Sequence, residues 1–82
     1  MNLIPQAEVE RMSEEILVKN LGAQECKRVS RAELGDLAKR EGLEGNVKTH
    51  DIAWNGPDFT KIIFTQTYLK LNGVYFYNTY QT

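Results

Sequence analysis

The segment KIIFTQTYLKLNGVYFYNTYQT, Lys61 to Thr82, decides the fold. Its Asn72-Gly73 pair is the strongest two-residue hairpin signal, because a type I′ turn needs positive φ at both central positions. Such a turn sets Leu71 opposite Val74, Leu69 opposite Phe76, Tyr68 opposite Tyr77 and Thr65 opposite Tyr80. Directly opposed residues share a face. Ile63, Leu69, Leu71, Val74, Phe76 and Tyr80 then lie on one side, and Ile62, Phe64, Tyr68, Lys70, Tyr75 and Tyr77 on the other. A strand with one wet face alternates apolar with polar, whereas both alternations here carry rings.

Working backwards, Val47 to Trp54 reads as a further strand, joined through the turn signal Asn55-Gly-Pro-Asp58. A four-residue loop there pairs Trp54 with Phe59 and Ile52 with Lys61. That adds Ile52, Trp54 and Phe59 to the Leu69 face, and Thr49, Asp51 and Ala53 to the tyrosine face.

The first half of the chain is different. All eight Trp, Tyr and Phe residues lie between Trp54 and Tyr80, while residues 1–44 hold nine acids and seven bases. Pro5 to Leu21 predicts a helix, with Val9, Met12, Ile16 and Leu17 as its apolar stripe and Gly22 as its stop. Ser30 and Glu33 form a capping box for a second helix, Val29 can staple onto Leu34, and Leu34, Leu37 and Ala38 face inward until Gly42. Between the helices, Ala23 to Val29 is equally compatible with a loop and with a short edge strand.

We expect one small α+β domain over residues 1–82, with two helices packed on one face of a three-stranded antiparallel meander (ααβββ). A chain of this size buries roughly 60–65% of its unfolded surface. Two helices on one face leave the other uncovered, so Phe64, Tyr68, Tyr75 and Tyr77 are expected as partner-binding anchors, with Lys70 as a rim charge. Strand propensity alone also favours such residues, but five large side chains on a small sheet can make a patch near the ~300–600 Å² that is often functional. In a meander the last strand lies at an edge, where it can pair with another chain unless the 23–29 segment covers it.

Composition narrows the function classes. A net charge of −1 argues against broad nucleic-acid binding. No apolar run approaches the about 18 residues of a membrane span. Met1 to Pro5 carries no secretory pattern, and the single cysteine, Cys26, suits a reducing cytoplasm. Cys26 and His50 are unique in the chain. They are poor material for a metal site or a nucleophilic pair, and His50 and Asp51 point to opposite faces of a strand. No phosphate-binding or nucleophile-elbow motif occurs. Ser30 to Leu43 has the spacing of a first helix-turn-helix helix, but Glu44-Gly45-Asn46 interrupts the recognition helix that should follow.

The expectation is therefore a cytoplasmic, non-enzymatic protein without metal or cofactor, of the small inhibitor or adaptor kind that phages and mobile elements carry. It would bind another protein, or itself as a homodimer, through the tyrosine face and last strand. The alternative is a nucleic-acid-binding protein that stacks bases on the same face.

Overall fold

The computed structural model describes residues 4–55 and 61–81, backbone only at 54, 55, 61 and 62. The elements run α1 (Gln6–Leu21), β1 (Glu25–Arg28), α2 (Arg31–Glu41), a 3₁₀ turn (Glu44–Asn46), β2 (Lys48–Asn55), β3 (Lys61–Leu71) and β4 (Val74–Gln81). The class is α+β with two helices. The sheet, however, has four strands in the order β1-β4-β3-β2, and β1 runs parallel to β4. No helix among the described residues is long and apolar enough to cross a membrane.

Local chemistry accounts for the punctuation. Ser30 Oγ accepts from the Glu33 amide at 3.1 Å, and Val29 and Leu34 share one buried cluster. Gly22 and Gly42 both adopt left-handed backbone at φ 68°, the conformation in which glycine ends helices at least cost. After Gly22, the Ala23 amide reaches back to the Leu17 carbonyl, so the chain reverses and Ala23 is buried. Asn72 (φ 51°) and Gly73 (φ 80°) make the expected tight turn, and the β3–β4 register is as the sequence predicts, from Leu71 opposite Val74 to Thr65 opposite Tyr80.

Three expectations are corrected. First, residues 25–28 form a strand and occupy the outer edge of β4, so the last strand is interior. The ladder continues as the Val29 amide donates to the Tyr77 carbonyl, and Asn78 Nδ2 donates to the Val29 carbonyl.

Second, the helices take opposite faces. β1 carries the chain through the plane of the sheet, so α1 before it and α2 after it emerge on different sides. α2 covers Leu69 and Phe76 with Val29, Leu34 and Ala38. α1 covers the tyrosine face, where Phe64 meets Val9 and Met12, and Tyr75 and Tyr77 meet Leu17 and Ala23.

Third, Asn55 pairs with Lys61 and Ile52 with Phe64, in place of the Ile52–Lys61 pairing. Five residues, 56–60, separate the paired ends instead of four. An odd change in that number turns β2 over, so Lys48, His50 and Ile52 lie on the tyrosine face and Thr49, Asp51 and Ala53 on the other. The proposed Asn55–Asp58 turn, Phe59 and the Trp54 side chain lie outside what is described.

The tyrosine face is polar at its tips, and α1 answers those tips. Buried Gln66 donates through Nε2 to both the carbonyl (2.9 Å) and the hydroxyl (2.8 Å) of buried Ser13. Gln6 donates to the Thr79 carbonyl at 2.8 Å, and Gln81 Nε2 to the Ile4 carbonyl at 2.6 Å. Among the described residues no buried side-chain polar atom is left unpaired, which is what makes the burial affordable.

Phe64 has no solvent exposure. Replacing it with alanine should cost about 3–5 kcal/mol of stability in urea unfolding. A ring awaiting a partner in solvent would leave the unfolding midpoint unchanged.

Candidate functional site

Of the five residues expected to bind a partner, Phe64 and Tyr77 are core, at 0% and 1% exposure. The Tyr77 hydroxyl donates to a Glu14 carboxylate oxygen on α1. Tyr75 is buried too, packed against Leu17 and Ala23, while Tyr68 is half-buried and Lys70 is exposed. These last three remain together. The His50 ring stacks on Tyr68 (centroids 5.8 Å apart, planes 16° apart), Tyr68 meets Tyr75 at 5.9 Å, and Lys70 Nζ lies 5.6 Å from the Tyr75 centroid. The result is a row of side chains from β2 across β3 to β4.

This row borders a groove of about 400 Å³ between α1 and β2. Ile16, Asn20 and Leu21 wall it from the helix, while His50, Ile52, Gln66 and Tyr68 line it from the sheet. A smaller hollow of about 230 Å³ continues on the far side of Leu21, towards Lys70, Gly73 and Tyr75. Leu21 is therefore a ridge between two depressions, and it is 44% exposed. The groove lies where α1, whose main sheet contact is with β4, leaves part of the β2 side uncovered, while Ile52 of β2 packs against the Val9–Met12–Phe64 cluster.

β2 has a strand neighbour on one side only among the described residues, since it ends the sheet order. Its outward backbone groups thus run alongside an apolar groove. That combination offers main-chain hydrogen bonds and side-chain hollows to an extended segment. Two of the groove's polar side chains are already engaged: the Gln66 amide is held by Ser13, and Asp51 Oδ1 accepts from Thr65 Oγ1 at 3.0 Å on the opposite face.

The groove residues Ile16, Leu21, His50 and Ile52 were not singled out as a site by the sequence. Leu21 lies at the end of the α1 stripe, and His50 and Ile52 reach this face only through the five-residue spacing before Lys61. The available signal was the apolar content of Val18 and Leu21 beyond the stripe, both of which are exposed.

Cys26 and His50 do not meet. They occupy the two outermost strands, three strand spacings or roughly 14 Å apart. Cys26 packs beside Tyr75 and Tyr77, and burial pushes its thiol up, with the Glu14 carboxylate adding to the effect. Glu44 to Asn46 forms a 3₁₀ turn leading directly into β2, in place of a recognition helix. No protein-family model, curated protein or solved structure matches the chain.

Burial, followed by the hydrogen bond to Glu14, raises the Tyr77 phenol far above its usual 10.0. The folded state keeps this proton after the unfolded chain has begun to lose it. Stability from Tyr77 is thus fully present below about pH 10 and declines as pH rises beyond it. In an alkaline titration, the last step of tyrosinate absorbance should coincide with loss of the helical circular-dichroism signal. Tyr77→Phe should remove that coupling, at a cost of about 1 kcal/mol near neutral pH.

Proposed function

We propose that the protein is a non-enzymatic binding module, a small inhibitor or adaptor, that holds another protein chain against β2 and the adjoining groove. One observation carries this reading: a strand edge with no neighbour among the described residues runs beside a groove whose ridge, Leu21, is an aliphatic side chain left half in water. Exposed single hydrophobics are ordinary, but here Leu21, Ile52 and Tyr68 line one concave strip beside the outermost strand of the described sheet.

The contact set thus differs from the one expected of an uncovered sheet face. Tyr68 and Lys70 stay in it, while Phe64, Tyr75 and Tyr77 leave it for the core, Tyr75 still touching both. Pairing through β4 is closed by β1, so strand addition uses one of the outer strands, β1 or β2, and the groove lies beside β2. Self-association is the case in which a second copy supplies the added strand. Base stacking is less favoured, because His50 and Lys70 already cover parts of Tyr68 and Tyr75, and Tyr75 is only 8% exposed.

The test is the double substitution Leu21→Ser with His50→Ser, both at exposed positions. Each should cost no more than about 1 kcal/mol of stability. Partners retained by the wild type from a nuclease-treated lysate, or a dimer seen in light scattering across concentrations, should be lost in the variant. Retention of the same partners by a folded variant would refute the site.

A further inference from the structure

Building on this binding reading, we infer that the occupant of the β2 groove is an acidic extended peptide, with apolar side chains at alternate positions and carboxylates at the end that meets Lys48. The chain as a whole is weakly acidic, yet its charges are segregated. On the α1-covered face, Glu10 pairs with Arg28 of β1 and Glu14 accepts from Tyr77, so both carboxylates are engaged on the β1 side. On the β2 side of the same face, Lys48 stands directly opposite Tyr68, and Lys70 lies two residues beyond Tyr68 on that strand. Both lysines are exposed. Among the described residues the only carboxylate at the groove is that of Asp51, held by Thr65 on the far face.

Lys48 and Lys70 therefore share the face of Tyr68, the residue at the aromatic end of the apolar groove. A strand added to β2 presents every second side chain to this face. Its apolar residues meet Ile52, Leu21 and Ile16, and an acid at the Lys48 end enters the field of both lysines. Opposite charges across neighbouring strands favour pairing, and like charges oppose it. The same charges would select against basic segments.

A phage-displayed library of random linear peptides, panned on the full chain, tests this directly. Enriched sequences should alternate apolar residues and carry Asp or Glu towards one end. A labelled peptide made from the enriched set should bind more weakly as salt rises. Its binding should increase protection of β2 amides from hydrogen exchange, and should fall by about tenfold or more in K48E/K70E. A version of the peptide with lysine in place of its acids should regain affinity for K48E/K70E, which shows that the variant is folded and that charge is the determinant.

Enriched peptides that protect β2 but lack acids, or bind K48E/K70E unchanged, would overturn the acidic specificity and leave the binding module standing. Failure to enrich any peptide that protects β2 would remove the groove as a binding site altogether. Tighter binding of a labelled single-stranded oligothymidine than of any enriched peptide, lost in K48E/K70E, would overturn the peptide in favour of nucleic acid.

Discussion

The Asn72-Gly73 turn is the constraint from which the rest of the structure follows. With both residues at positive φ, its geometry fixes which β3 side chain stands beside which on β4. Because side chains alternate strictly along a strand, that single register sorts the ring-rich segment into a Leu69–Phe76 side and a Phe64–Tyr77 side. Neither side can remain in water without cost. The fold answers by inserting β1 at the outer edge of β4, so that α1 and α2 arrive on opposite faces.

Covering the tyrosine side required more than apolar surface. Gln66, Thr79 and the Tyr77 hydroxyl would each carry a desolvation penalty beneath an ordinary aliphatic helix. α1 provides Ser13, Gln6 and Glu14 at the matching places. A stripe that looks imperfect as a hydrophobic face, interrupted by a serine, is therefore complementary to this sheet. The same placement of α1, mainly over β4, leaves part of the β2 side uncovered beyond Ile52. The groove is the part of the face that one helix is too narrow to cover.

Several features were legible from residues alone because short-range chemistry sets them. They include both helices, the Ser30 cap, the glycine stops and the β3–β4 register. The candidate site was legible only in part. Tyr68, Tyr75 and Lys70 were identified as neighbours on one face and are neighbours, but Tyr75, like Phe64 and Tyr77 on that same face, is buried beneath α1. Leu21 and His50 join the groove through contacts between distant parts of the chain, which no local pattern encodes.

What the sequence by itself determined was the kind of each regular element and the partition of β3 and β4 into two faces, since turn stereochemistry and alternation act within a few residues. Only the tertiary structure decided that Glu25-Cys-Lys-Arg28 becomes a strand parallel to β4, that the helices separate to opposite sides, and that β2 turns over to bring His50 and Ile52 beside α1. The physical reason is common to all three. Each depends on pairing between segments far apart in the chain, where the gain comes from burying two apolar faces at once and pairing the side-chain polar atoms that the described residues bury between them.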